Sequence, residues 1–196
     1  MLLQLPRLTI RDWRSEDAGL MAGLANDYEI WRHVRDRFPH PYATSDAEAF
    51  IALALSQEPR QNFAIAIAAD DAVIGSIGVI PGEDVYRRSA EVGYWLGRPY
   101  WGRGYATEAL AAFSDWALEQ YDLIRIFARV FVGNPASARA LEKCGYERTA
   151  RIPSAAVKEG RVVDEWIYSR IRPAAAARLA HAGAEHRHGS VGEASP

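Results

Sequence analysis

The sequence predicts a single α/β domain built on a largely antiparallel sheet, and three observations carry that expectation. The chain has 196 residues, about one ordinary domain. Apolar residues make up 49% and charged residues 24%, close to average globular usage, which excludes global disorder and a coiled coil. Three strand-like runs follow one another between residues 63 and 97 with no helix between them, the pattern of an antiparallel meander and not of repeated βαβ units.

The elements read in order as β-α-α-β-β-β-α-β-α-β-β. LTIRDW at 8–13 is a short strand, and Ser15 is the expected N-cap of a helix or helix pair whose core face is Leu20, Met21, Leu24, Tyr28 and Trp31. Pro39 and Pro41 interrupt it. Ser45 to Glu48 has capping-box form ahead of Phe50, Ile51, Leu53 and Leu55, a helix ending before Pro59. FAIAIAADDAVIGSIGVI at 63–80 is a hairpin turning at Asp70-Asp71, and SAEVGYWLG follows as a third strand. Ala106, Ala109, Leu110, Phe113 and Trp116 recur at helical spacing within 105–120, and 124–132 is the next strand. Asn134-Pro135 supplies an N-cap and a first-turn proline for a helix of about ten residues that Gly145 ends. Residues 146–152 and 162–171 close the fold as a strand pair. From Pro173 the chain loses its large apolar residues, so 1–172 is expected as the domain and 173–196 as a disordered Ala/Gly-rich tail.

Composition narrows the function. A net charge of −2 gives no electrostatic excess that would mark a nucleic-acid binder, and no run of about 18 apolar residues suggests a membrane span. Cys144 is the only cysteine, and no signal-like apolar stretch opens the chain, so a cytoplasmic protein is expected. Only His33 and His40 precede the tail, which leaves few candidates for a metal site or a histidine-based triad; no metal is expected.

The informative stretch is AEVGYWLGRPYWGRGYATEAL at 90–110, where a strand breaks at Gly97-Arg98-Pro99 and a glycine-bearing turn opens directly into an amphipathic helix. The first amides of a helix have no intrahelical acceptors and sit at the positive end of the dipole, so this layout suits an anion such as a pyrophosphate. A P-loop would need a lysine after the glycine, which is missing. A dinucleotide fingerprint would need a third glycine at Thr107 and a parallel βαβ setting; Asp122 lies near its acidic position, but the meander argues against it. A coenzyme A pyrophosphate is the third reading. Glycines that merely make a turn explain the loop alone equally well.

With its neighbours, the loop resembles the GCN5-related N-acetyltransferases (GNAT). Trp101-Gly102-Arg103-Gly104-Tyr105-Ala106 lies on their acetyl-CoA signature Gln/Arg-x-x-Gly-x-Gly/Ala, with Trp101 where many relatives carry Gln or Arg. GYWLGRPYWGRGYATEAL, LTIRDWRSEDAGLMAGLAND and NPASARALEKCGYERTA are similar to the ribosomal-protein N-terminal (RimJ/RimL-type) branch, and the likeness spans residues 5–172 in order. It implies a GNAT fold: a mixed, mainly antiparallel sheet of about seven strands, flanked by helices, with a splayed central strand at 90–97.

The resemblance also implies a cytoplasmic, acetyl-CoA-dependent N-acetyltransferase, monomeric or homodimeric, acting in a ternary complex. Its acceptor is expected to be a protein or peptide N-terminal amine. A small-molecule amine is the rival acceptor, and a non-catalytic CoA-binding module the rival class. The backbone of Tyr94, Trp95 and Leu96 would bind the pantetheine arm. Trp101, Gly102, Arg103, Gly104, Tyr105, Ala106 and Thr107 would hold the pyrophosphate, and Asn134 the coenzyme arm or only its own helix. Glu91, on the strand face opposite Ala90 and Val92, is the expected base. Leu141 stands where many relatives carry the tyrosine acid; Ser137, three residues after the Asn, is the expected proton donor to the thiolate. Trp31, His33 and Tyr42, with Phe38 and His40, are expected at the acceptor. Cys144 reads as a small buried hydrophobe and not a covalent nucleophile.

Overall fold

The computed structural model describes residues 3–172; the segment 173–196 expected as a tail lies outside the described residues. In chain order the elements are β1 (Leu3–Gln4), β2 (Leu8–Arg11), α1 (Ala18–Ala25), α2 (Tyr28–Trp31), α3 (Thr44–Ser56), β3 (Asn62–Ile67), β4 (Val73–Pro81), β5 (Ser89–Leu96), α4 (Tyr105–Gln120), β6 (Arg125–Phe131), α5 (Pro135–Lys143), β7 (Glu147–Lys158) and β8 (Arg161–Ile171). The eight strands form one sheet in the order β1-β2-β3-β4-β5-β6-β8-β7. Every neighbouring pair is antiparallel except β5 and β6, which run parallel with α4 as their crossover. One strand more than expected is present, because β1 is a two-residue piece paired with Thr9 and Ile10, too short to leave a periodic signal.

Both faces of the sheet are covered. Leu110, Phe113 and Ala117 of α4 and Leu141 of α5 pack on one face against Leu8, Ile10, Ile65, Ile74 and Val92. Met21, Ala22 and Ala25 of α1 and Ala47, Ile51 and Ala54 of α3 pack on the other with Trp13 and Tyr42. Double coverage explains why FAIAI and VIGSIGV are continuous apolar runs: the middle of β3 and β4 is buried on both faces. Phe63, Phe113 and Trp116 form an aromatic cluster with centroids 5.3–5.7 Å apart.

Several local expectations change. Ser15 does not cap α1; it begins a 3-10 turn, and the Asp17 carboxylate instead accepts the Arg14 amide at 2.9 Å. The first helix breaks at Asn26, and Asp27 caps α2 by accepting the Glu29 amide at 2.8 Å. Leu20 and Tyr28 therefore face solvent, and small alanines fill the core side around Met21. The start of α3 is Thr44, so Asp46, and not the Ser45/Glu48 pair, receives the free amide, that of Ala43, at 2.8 Å; Leu53 points outward. Beyond Ile152, β7 continues to Lys158 across a register shift at Ser154, whose amide is held by Asp164 at 2.8 Å. At the end of α5, Gly145 (φ +78°) and Tyr146 return their amides to Glu142 and Leu141, the expected glycine stop. Among the described residues, no helix is long and apolar enough to cross a membrane.

Candidate active site

The site begins with a strand that parts from its neighbour. β5 pairs with β4 along its length to Leu96, but with β6 only at Ser89, Ala90 and Glu91. Beyond Glu91 the two strands diverge, leaving the edge of β5 toward β6 without a ladder partner. A cavity of about 390 Å³ opens there, between Tyr94–Trp95–Leu96 on one side and Asn134 to Ser137 at the start of α5 on the other.

The floor of this cavity is the turn into α4. Gly102 (φ +73°) and Gly104 (φ +81°) adopt left-handed backbone angles, and a side chain at Gly102 would project into open space. Gly104 caps α4 with no side-chain hydrogen bond, and the first intrahelical bond from this end runs from Glu108 to Gly104. The leading amides of α4 thus meet the cavity with their hydrogens unused, and Tyr105, Ala106 and Thr107 belong to its wall. The residues present fit a phosphate anion: a bare backbone, free donors and the positive end of a 16-residue helix.

Two side chains fix the loop. The Trp101 indole N–H donates to the Leu96 carbonyl at 2.7 Å, pinning the turn to the end of β5. Arg7 holds Glu108 at 2.7 Å, donates to the Arg103 carbonyl at 2.9 Å and stacks over Tyr105 at 4.8 Å. Arg7 carried no signal in the sequence, because its partners are about a hundred residues away. Arg103 does not line the cavity.

Across the cavity, Asn134 Oδ1 accepts the Ser137 amide at 3.1 Å, so Asn134 caps α5 while its residue faces the cavity. Ser137 Oγ lies 3.0 Å from the Tyr94 hydroxyl. Burial pushes the Tyr94 phenol up to about 12, so it remains a proton-bearing hydroxyl at neutral pH. Leu141 is fully buried in the core. Cys144 is buried outside the cavity wall, points its thiol at the Thr107 carbonyl at 3.3 Å, and has its pKa raised by burial.

A second cavity of about 460 Å³ lies between the end of β6 and the β7–β8 turn, walled by Phe131, Val132, Gly133, Lys158, Glu159, Arg161 to Asp164, Arg32 and His33. Its charges are mostly committed. Lys158 is buried with Nζ 2.7 Å from Asp36 and 3.7 Å from the Trp31 ring centre. Glu159 accepts the Tyr28 hydroxyl at 2.7 Å, and Asp164 is held by Arg151 at 2.6 Å. The Ser154 amide and Arg151 keep the Asp164 carboxyl below its ordinary pKa.

His33 belongs to the walls of both cavities. The other residues expected near the acceptor are set back. Trp31 lies under Lys158 and stacks on His40 with centroids 5.5 Å apart, and Tyr42 is buried against Phe38. Glu91 lines neither cavity; its carboxylate pairs with Arg35 and lies 3.8 Å from Arg129.

Residues 7–147 match the family model for the acetyltransferase (GNAT) domain. The chain belongs to the GNAT family. The uncharacterized N-acetyltransferase p20 of Bacillus licheniformis is 30% identical over 174 residues, which are 87% of this chain and 96% of p20. Two solved structures share the fold. The ribosomal-protein-S5-alanine acetyltransferase of Vibrio fischeri has a TM-score of 0.75 at 18% identity, covering 87% of this chain and 96% of its own. The spermidine N-acetyltransferase of Vibrio cholerae, in complex with CoA and spermine, has a TM-score of 0.72 at 21% identity, covering 86% and 98%. The GNAT chain is therefore an acetyl-CoA-dependent N-acetyltransferase. Acetyl-CoA supplies the reactive sulfur, as a thioester carrying the acetyl group, which agrees with a fold whose own cysteine is buried.

Proposed function

We propose that this GNAT enzyme acetylates the N-terminal amine of a protein or peptide by direct attack in a ternary complex. The observation that carries the reading is that the two cavities adjoin at His33, so donor and acceptor approach one point from opposite sides. Amides at the start of α4 hold the pyrophosphate, and the unladdered edge at Tyr94 to Leu96 takes the strand-like pantetheine arm, with Asn134 beside it. Trp101 occupies the Leu96 carbonyl, which leaves Tyr94 and Trp95 as the main-chain partners of that arm. The Ser137 and Tyr94 hydroxyls together take the place of the missing tyrosine at Leu141, and Ser137 returns a proton to the departing thiolate. Placement of Cys144 behind the wall supports direct transfer over an acetylated cysteine.

The acceptor cavity favours a peptide over a polyamine. A polyamine needs free carboxylates for its several ammonium groups, whereas Glu159 and Asp164 already serve Tyr28 and Arg151, beside Arg32, Lys158 and Arg161. Acetyl-CoA turnover should be measured with an N-terminally varied peptide library beside spermidine and free amino acids. Peptides are expected to give the highest kcat/KM, with acetylation at the α-amine by mass spectrometry. A higher kcat/KM for spermidine would overturn the peptide assignment, and tight coenzyme binding without turnover of any amine would overturn the catalytic one.

A further inference from the structure

We infer that His33 is the base that takes the proton from the acceptor's ammonium. This rests on acceptor binding in the second cavity but not on whether the acceptor is a peptide.

An ammonium has no lone pair, so its nitrogen must lose one proton before attack and a second from the adduct formed at the thioester carbonyl. The C–N bond forms, the C–S bond breaks, one proton goes to the thiolate sulfur and one leaves to solvent. The first proton needs an acceptor that faces the amine, is uncharged before it acts, and releases its proton to water. His33 satisfies all three requirements. It follows α2 immediately, its main chain held by the Ile30 carbonyl at 3.0 Å, and it is the residue common to both cavity walls. Burial, aided by Arg32, lowers its pKa below the ordinary 6.5 while Glu29 opposes, with no hydrogen bond contributing. The imidazole is therefore neutral at pH 7 and free to accept.

The charged groups around it are known. Glu29, Arg139 and Lys143 lie in the same coenzyme-side wall, and Arg32, Lys158, Glu159, Arg161 and Asp164 lie in the acceptor-side wall. Three of those carboxylates are engaged, Glu29 with Arg32 at 3.4 Å, Glu159 with Tyr28 and Asp164 with Arg151. Glu91, the base expected from strand alternation, faces Arg35 and Arg129 instead of either cavity. Each of its two carboxylate oxygens thus faces a guanidinium group and not the acceptor.

The experiment compares pH–rate profiles of wild type, His33→Gln, Glu29→Gln and Glu91→Gln from pH 5 to 9 with the best amine of the acceptor panel, whichever class it comes from. Acetyl-CoA affinity is measured by calorimetry on each protein. Because the His33 pKa is lowered, the imidazole is competent above it, and wild-type kcat/KM should fall as pH drops below about 6.5, the ordinary histidine value. His33→Gln should reduce kcat by roughly 10²-fold, remove that acid limb and leave acetyl-CoA affinity within about twofold. Added imidazole should restore turnover to His33→Gly, which a merely structural role would not permit. A wild-type rate or an intact acid limb in His33→Gln overturns the assignment, as does loss of the limb in Glu29→Gln or Glu91→Gln alone. A preference for spermidine would defeat the peptide assignment and leave this test standing.

Discussion

On the proposed mechanism, the contact between Ser137 Oγ and the Tyr94 hydroxyl answers one missing side chain with two others. Leu141 fills core space, and the proposed hydroxyl function falls to β5 and the first turn of α5. The hydroxyls share a hydrogen bond, so their loss should be coupled. Ser137→Ala and Tyr94→Phe are each expected to lower kcat by about 10- to 100-fold, below the full range for general acid catalysis because water can substitute. The double variant should be hardly worse than either single one, and additive losses in a double-mutant cycle would mean that the pair does not act as a unit. The family resemblance pointed to Ser137, three residues after Asn134. It concealed Tyr94's hydroxyl, because strand alternation assigns a face but not the helix that stands opposite.

At the scale of the element, the turn into α4 combines two left-handed glycines, a helix start without a side-chain cap and an indole staple. Only glycine accepts φ near +80° at Gly104 without strain, and a carboxylate there would meet the same free amides that attract phosphate. Gly104→Asp should therefore weaken acetyl-CoA binding at least 100-fold by calorimetry. Its folding cost should be about 1–2 kcal/mol for a left-handed non-glycine residue, read as a modest fall in Tm. Unchanged affinity would place the pyrophosphate elsewhere. This element was the most legible in the chain, since the glycine spacing and the apolar period of α4 are both local. The Arg7 brace was not, because it depends on β2 bringing the N-terminal segment alongside α4.

For the molecule as a whole, an ion network centred on the buried Arg11 fastens the α1–α3 layer to the sheet. Arg11 is buried on β2, pairs with Asp17 at 2.8 Å ahead of α1, and reaches Asp71 in the β3–β4 turn at 2.9 Å, where Arg14 joins at 2.5 Å. Hydrogen bonding to Arg11, then to Arg14, lowers the Asp71 pKa below 3.8. A carboxyl with a lowered folded-state pKa contributes stability above its unfolded value and loses it as pH falls through the folded one. Asp71→Asn should therefore cost about 1 kcal/mol at pH 7, the upper end for a half-exposed pair, with the difference from wild type vanishing as pH falls well below 3.8. Denaturant unfolding at pH 7, 4 and 2.5 measures this; a pH-independent difference would show that charge is not its source.

By itself the sequence determined the strand order from residue 8 to 171, the helices apart from the break at Asn26, the family, and the glycine turn into α4, because periodicity, caps and glycine spacing are properties of neighbouring residues. Tertiary structure alone decided which charges are available. It gave Glu91 to Arg35 and Arg129, set Tyr42 into the core, buried Lys158 against Trp31 and Asp36, and left His33 between two cavities. The physical reason is that a carboxylate or an imidazole acquires its chemistry from partners and solvent access. Those are set by elements from distant parts of the chain: the segment after α2, the free edge of β5 and the β7–β8 turn.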